Sequence, residues 1–574
     1  MINLLNSARW FLLILLILSG INILYINFLG SYELHLGLIT LVAHTLFKPL
    51  LLFNEIFLIF VLFFKRSEGS SGSFYEFRSD PLSDRRYFIG LVLVLVTALY
   101  FQSFFLNFHH TEWNHWHMSA NIHSLKDLLA LFTTRQLDGF YRPLTYISLW
   151  VDYKIFSDNL WGYHLQNLLI HLLNSLLVYP TGMSLRLGEQ SSRWAALFYA
   201  VAAINFEAVL WPAARFDLLA TLFTLLAVNY FVKYLHDAQD LGLNLLLFIL
   251  FFVMGVLNKE SAYCFPLIAV LILVTHKTFS IASIKKEKYI YSVLTILIFT
   301  LLLIGIRLIV YDNLGGYQRL SGGSAHFHIS LKSLFKLFTN PVALPLFGLN
   351  TTTELPLYIK IALAAFVLIL LLSALYRATW PQKKVYIILG ILLLSALPVV
   401  NLIGWIRPSM QHCRYIYLPT IWMSLIIVSI IKGQKRFANY ALTLLLLVNF
   451  LGTCHNLSVY KDMLARTESL SNSIYKDYEK DPNMQNIYLV GLPGEPNGVF
   501  CFTAELALKI KDKIPHINLI VVPPEQDPIF KDAGSLIYDW SVSERRLIRR
   551  HEFRVTAIKM MIRDGIKSRK GVGG

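Results

Sequence analysis

Charged residues are scarce in this 574-residue chain, 15% of the total against 56% apolar. A soluble domain carries roughly a quarter charged residues, so this scarcity excludes an ordinary water-soluble protein. Cysteine is rarer still. Cys264, Cys413, Cys454 and Cys501 share no C-x-x-C spacing, so neither a zinc ribbon nor a thioredoxin-type site is encoded. The turn LPGEPNG at 492–498 has too few glycines and no GK[ST] ending for a nucleotide-binding loop. Acidic residues are outnumbered by basic ones, 35 to 51. In a chain this apolar, that excess points to cytoplasmic anchoring and anionic lipid headgroups, not to nucleic acid.

What is abundant is long apolar runs, each near the roughly 20 residues a spanning helix needs. The first, from about Trp10 to Phe28, has no clear small-residue cleavage site and is expected to be a retained helix. Spans are expected near 9–29, 35–64, 87–106, 160–186, 193–209, 213–235, 241–258, 260–276, 288–311, 355–376, 384–403, 414–432 and 436–457. Counted alternately, they put every basic cluster on one side: Lys65 with Arg85 and Arg86 around the Gly/Ser segment SEGSSGS, then Arg186 and Arg193, Lys285 to Lys288, Lys383 and Lys384, and Lys435 and Arg436. The expected fold is therefore a polytopic all-α membrane protein of about 13 spans with a small C-terminal α/β extramembrane domain.

Three regions follow: 1–86, an N-terminal membrane extension and cytoplasmic loop; 87–457, the main membrane domain; and 458–574, a non-cytoplasmic domain. In the last, NIYLVGL and INLIVVP read as strands flanking a helical FTAELALKIKDKI, and Arg545, Arg546, Arg549 and Arg550 open a basic tail at largely helical spacing. Loops 107–159 and 312–354 share the external face with that domain. The second loop carries GGYQRLSGGS and an amphipathic HISLKSLFKLF suited to lie on the membrane surface.

Ionisable side chains near a bilayer are costly unless they pair or face water, so they mark candidate sites. Here they gather externally: NFHHTEWNHWH at 107–117, LDGFYRPLTY at 137–146, FEAVLWPAARFDLLA at 206–220, NKESA at 258–262 and IRPSMQHCRYIYLP at 406–419. Within them are Asn121, Ile122, Ser124 and Leu125; Tyr141, Arg142, Pro143 and Leu144; and a helix with Gly162, His164, Asn167, His171 and Asn174. Then come Glu207, Trp211, Arg215 and Asp217; Lys259 and Glu260; and Arg414 and Tyr415.

In this order, over about residues 87–457, these motifs resemble the GT-C glycosyltransferases, in the branch that includes transmembrane O-mannosyltransferases with tetratricopeptide tails and bacterial relatives. The resemblance implies an enzyme that moves a sugar from a polyprenyl-phosphate donor to an acceptor hydroxyl on the non-cytoplasmic face, in a bacterial inner membrane with the external loops periplasmic. It implies a loop acid as catalytic base. The family usually has an acidic pair there; this chain has Glu112 alone among Thr111, Trp113 and Asn114, with Asp138 the nearest substitute. The tetratricopeptide tail is absent from the sequence given.

The chemistry asks for the same parts: a base about 3 Å from the acceptor hydroxyl, and cations where charge develops on the departing phosphate. Glu112 would supply the first. Arg142, Arg215, Lys259, Arg407 and Arg414 would supply the second, supported by Asn121, His164, Glu207, Asp217, Glu260 and Tyr415. With no second carboxylate at nucleophile spacing, direct attack would invert the sugar carbon. The acceptor is a protein or a glycan. Each residue also has a plainer role: Arg142 pins a loop to a helix start, Arg215 and Asp217 pair with each other, Glu207 and Glu260 orient basic partners, and His164 and His171 bond between helices. His109, His110, Glu112, His115 and His117 invite a metal, but no HExxH-like spacing is present, so no metal or other cofactor is expected. A lipid-linked sugar flippase and an inactive envelope scaffold are the rival classes.

Overall fold

The computed structural model describes residues 32–36, 39–43, 64–66, 75–77, 84–106, 110–136, 140–236, 241–275, 286–311, 340, 348, 382–403, 406, 410–432, 438–480, 482, 485–490, 506, 509–511, 513–522, 535–541 and 546–549. The chain divides into two compact units, Met1–Ser458 and Val459–Gly574, taken here in turn.

The first unit is a helical bundle. Helix α1 (Arg85–Tyr100) starts at Asp84, whose carboxylate accepts the Arg86 N–H at 2.8 Å. Three helices follow on the way to the long membrane helices: α2 (His110–Ala120), α3 (Leu125–Ala130) and α4 (Pro143–Phe156). The bundle continues with α5 (Leu160–Ser184), α6 (Glu189–Val201), the short α7 (Phe206–Leu210), α8 (Arg215–His236), α9 (Leu241–Val256), α10 (Phe265–Val274) and α11 (Lys286–Tyr311). It closes with α12 (Gln382–Ala396), the short α13 (Val400–Ile403), α14 (Tyr417–Lys432) and α15 (Ala438–Lys480). Helices α5, α6, α8 and α14 are the most buried and pack on one another at the centre.

Among the described residues, five helical stretches are long and apolar enough to cross a membrane: Arg85–Phe105, Pro212–His236, Ile290–Val310, Cys413–Lys432 and Ala438–Lys480. A bent pair, Glu189–Val201 with Ala203–Leu210, makes a sixth. This is a multi-pass membrane protein, with fewer such helices among the described residues than the 13 spans expected. The expected spans at 9–29 and 355–376 lie outside the described residues. At the start of the expected 35–64 span, β1 (Tyr32–Leu36) and β2 (Ile39–Ala43) form an antiparallel pair, and 44–63 lie outside the described residues. The β-branched ITLVA suits a side-chain period of two as well as a helix. The runs at 241–258, 260–276 and 384–403 yield the shorter helices α9, α10 and α12.

Two breaks interrupt the helices of the bundle. At Ala202 the chain bends by 47° between α6 and the segment Ala203–Leu210. A broken helix frees backbone groups that hydrocarbon cannot satisfy. Helix α15 satisfies them: Asn449 Oδ1 accepts the Ala203 N–H at 3.2 Å, Thr453 Oγ1 donates to the Val201 carbonyl at 3.0 Å, and Asn456 Nδ2 donates to the Ala203 carbonyl at 3.2 Å. The second break runs through Leu257 and Asn258 into a 3-10 turn, Glu260–Cys264, with Lys259 extended before it.

In the second unit, β5 (Asn486–Val490), β6 (Asn518–Val522), β7 (Ser535–Ser541) and β8 (Arg546–Arg549) form one sheet in the order β6-β5-β7-β8. β5 pairs parallel with both β6 and β7, through Ile487↔Leu519 and Ile487↔Leu536. Ile487 and Leu489 are fully buried. β8 corrects the helical reading of Arg546 and Arg549: RLIR is an edge strand antiparallel to β7, a position that tolerates charge. Glu468 accepts from Lys509 at 2.7 Å and from Lys513 at 2.9 Å, joining the long helix to the segment before β6.

Helix α5 meets α6 and α14 at Gly182, where an added Cβ would lie 2.5 Å from Ser192 Oγ and 3.0 Å from Leu425 Cδ2. Gly182→Leu is expected to lower stability by about 1–3 kcal/mol through overpacking, and Gly182→Ala by less. Thermal denaturation in detergent measures both.

Candidate functional site

Helices α4, α8 and α11, the turn before α14 and the two breaks bring five cations and four carboxylates into buried pairs. Arg142 is the N-cap of α4 with Pro143 at the first helical position, as its sequence context suits. Its N–H donates to Gln136 Oε1 at 2.6 Å, and its guanidinium donates to Glu260 at 3.1 Å. Arg307, from the penultimate turn of α11, donates to the other oxygen of Glu260 at 2.9 Å. Two guanidiniums thus share one carboxylate.

Lys259, beside Glu260 in the chain, forms an ion pair with Asp217 in the first turn of α8. Glu207, in the first turn of α7, accepts Arg414 Nη1 at 2.6 Å and the N–H groups of Arg414 and His412 at 3.0 and 3.2 Å. Aromatic rings link these pairs into a row. The Phe216 ring lies 4.2 Å from the Arg142 guanidinium and 4.9 Å from Lys259 Nζ. The Tyr415 ring lies 5.3 Å from Lys259 Nζ and 4.9 Å from the Arg414 guanidinium, and Trp211 lies 4.4 Å from the latter. Ring faces attract cations, so rings between them hold like charges close with little water.

Arg215 stands apart from this row. It is fully buried, pairs with Asp152 of α4, and donates to Asn167 Oδ1 at 2.9 Å, the Tyr163 carbonyl at 2.9 Å and Ser148 Oγ at 3.3 Å. Its partner is thus Asp152, not Asp217 two residues away; side chains two apart on a helix point to different faces. His164 is buried beside the backbone of Leu106 and Leu210. His171 and Asn174 reach across to α14, where His171 Nδ1 and Asn174 Nδ2 meet the Tyr417 hydroxyl at 2.8 and 3.3 Å. These are interhelical bonds.

The loop helices carry the motif Asn121 to Leu125. Asn121 is exposed and Ile122 is buried against Leu131 and Tyr146. Ser124 caps α3 in a reciprocal box with Asp127, and the Ser124 hydroxyl and N–H hold that carboxyl below its usual range. Helix α2 packs on α4 and on the Pro212–Ala214 turn. His115 Nδ1 meets the Tyr146 hydroxyl at 2.8 Å. Burial, with Arg142 nearby, lowers the His115 imidazole to about 4.

The structure therefore brings together Arg142, Lys259, Glu260, Asp217, Tyr415, Arg414 and Glu207. Asp138, Arg407 and the side chain of Glu112 lie outside the described residues, although the backbone of Glu112 is in α2. Sequence reasoning missed Arg307 and Asp152. Arg307 is a lone charge in the apolar part of its helix, and that was the available signal; Asp152, two residues from Lys154, had none. Among the described residues no three His, Cys, Asp or Glu side chains converge as a metal-binding group.

Two outcomes follow. Asp152→Asn leaves the buried Arg215 uncompensated and is expected to cost about 3–5 kcal/mol, read as a fall in melting temperature. His115 titrates near 6.5 when unfolded and at about 4 when folded, so stability is expected to fall as pH drops through that window. Melting curves of wild type and His115→Gln across that range should converge on a shallower slope for the variant.

Comparison with known proteins bears on this site. Residues 143–304 match the family described as Dolichyl-phosphate-mannose-protein mannosyltransferase. A protein O-mannosyl-transferase of Caenorhabditis elegans is 29% identical over 127 residues, 21% of this chain and 17% of that protein. Protein O-mannosyl-transferase TMTC3 of Homo sapiens is 29% identical over 148 residues, 24% of this chain and 16% of its own length. The Mus musculus protein of the same name is 28% identical over 154 residues, 25% of this chain and 17% of its own. The matched stretch thus spans about a sixth of each relative. No solved structure matches. The stretch that carries several of the ordered motifs is thus similar to mannosyltransferases, in keeping with the resemblance to GT-C glycosyltransferases.

Proposed function

We propose that this protein is a glycosyltransferase that moves mannose or a related sugar from a polyprenyl-phosphate carrier to a protein hydroxyl at the external membrane face. The observation that carries this reading is the pair Arg142 and Arg307 converging on Glu260, at one end of a cation row, at the two borders of the mannosyltransferase-like stretch 143–304. Two guanidiniums gathered at one carboxylate set arginine donors side by side, the chemistry that recognises phosphate. Arginine suits that partner because its planar fork donates two hydrogen bonds to phosphate.

In the reaction, the acceptor oxygen attacks the anomeric carbon and its proton passes to the Glu112 carboxylate, with Asp138 the alternative base. The bond from that carbon to the phosphate oxygen breaks, and its electron pair leaves with the lipid phosphate. Arg142 and Arg307, with Lys259 and Arg414 along the row and Arg407 from the same external segment, stabilise the charge that develops there. A single displacement inverts the anomeric carbon. The carrier explains the membrane setting: its isoprenoid needs hydrocarbon while its sugar needs water. Helix α11, whose apolar window is 17% buried, presents a lipid-facing wall with Arg307 turned inward. The non-cytoplasmic side of a bacterial inner membrane is the setting this reading implies.

The test uses the full chain reconstituted in lipid, labelled polyprenyl-phosphate mannose and a Ser/Thr peptide. Wild type is expected to label the peptide, and Glu112→Gln to lose roughly 100-fold or more of turnover. Movement of the donor across the bilayer without transfer would make the protein a flippase, and neither activity would make it a scaffold.

A further inference from the structure

The proposed base sits on α2, three residues before His115. What fixes α2 against the cation row therefore sets the distance between base and phosphate. Besides the edge-on contact of the Trp116 ring with Tyr153 at 5.5 Å, hydrogen bonds from Trp116 and His115 reach α4 and the turn after it. Trp116 Nε1 approaches the Ser157 carbonyl at 3.4 Å, a long bond near the surface. His115 Nδ1 meets the Tyr146 hydroxyl at 2.8 Å, with Tyr146 2% exposed and the two rings 5.5 Å apart. The second is the short, dry contact.

Its partner is also the informative one. Tyr146 lies one helical turn beyond Arg142, with its N–H facing the Arg142 carbonyl at 3.4 Å. A bond to Tyr146 is thus referenced, through a single rigid turn, to the residue that bonds Glu260. Ser119 Oγ bonds the His115 carbonyl at 2.8 Å and stiffens the same stretch of α2. On the other side α2 meets the Pro212–Ala214 turn, which leads into Arg215 and Phe216.

We propose that His115 is a positioning residue for transfer: its hydrogen bond to Tyr146 holds the helix carrying the base in register with the arginine end of α4. This rests on the glycosyltransferase reading. Misplacing a reacting group by about 1 Å can cost on the order of 100-fold in rate while leaving substrate affinity alone. A clasp that merely holds the fold would instead lower the amount of active protein and leave the rate per active molecule unchanged. Burial supports the role, because the lowered imidazole pKa keeps the ring uncharged beside Arg142 at neutral pH.

The experiment compares reconstituted full-length wild type, Tyr146→Phe, His115→Leu, His115→Asn and the double variant Tyr146→Phe/His115→Leu. It follows transfer from labelled polyprenyl-phosphate mannose to a Ser/Thr peptide, normalised to folded protein, with melting temperatures in parallel. Tyr146→Phe keeps the ring and deletes only the hydroxyl. It and His115→Leu are expected to lower kcat about 10- to 100-fold with donor KM within about twofold. The double variant should be no slower than the worse single one, and His115→Asn, whose amide reaches toward the Nδ1 position, should recover much of the rate. Unchanged kcat in Tyr146→Phe, a loss confined to KM, or additive losses in the double variant overturns the proposal. Absence of turnover in wild type overturns the glycosyltransferase reading, and this proposal with it.

Discussion

A charged group withdrawn from water must find its opposite, and the charged end of this bundle is organised by that requirement. Every described cation of the row, and Arg215 beside it, meets a carboxylate: Glu260, Asp217, Glu207 or Asp152. Buried pairs do little for net stability, because desolvation offsets most of their attraction. What they do is fix geometry. An unpaired partner is so costly that each helix end can settle in few positions, and α4, α8, α11, α14 and the two breaks are tied in this way. Aromatic rings between the cations extend the arrangement without adding acid.

Much of this was legible in the sequence as location. Polar residues interrupting apolar runs marked which segments meet, and FEAVLWPAARFDLLA, NKESA and RYIYLP supply Glu207, Asp217, Lys259, Glu260, Arg414 and Tyr415. Partnership was not legible. Which carboxylate meets which cation depends on how helices cross, and no local pattern encodes that; Arg215 finds Asp152, 63 positions earlier, while Asp217 finds Lys259. Arg307 was hidden because a lone arginine near a helix end reads as an anchor. The fold was legible as helical and membrane-embedded. Short apolar runs were ambiguous, as the β1–β2 pair shows, since alternation and helical periodicity fit the same few residues.

The histidines divide by surroundings. His171 serves the core, where a dry interior rewards any polar group that finds a partner and so fixes how α5 and α14 align. His115 lies in the loop helices and bonds a tyrosine next to an arginine. The sequence set His171 at helical spacing with Asn167 and Asn174 and His115 in a polar loop, but not their partners Tyr417 and Tyr146.

The bend after Val201 has a wider implication. Its loosened peptide groups are served by Asn449, Thr453 and Asn456, which line one face of a helix some 250 residues downstream. The angle at which Glu207 is presented is thus written in two distant places, and neither alone specifies it. An apolar replacement on that downstream face would re-aim an acidic group it never touches, so a substitution map of this protein should show sensitivity far from any chemistry.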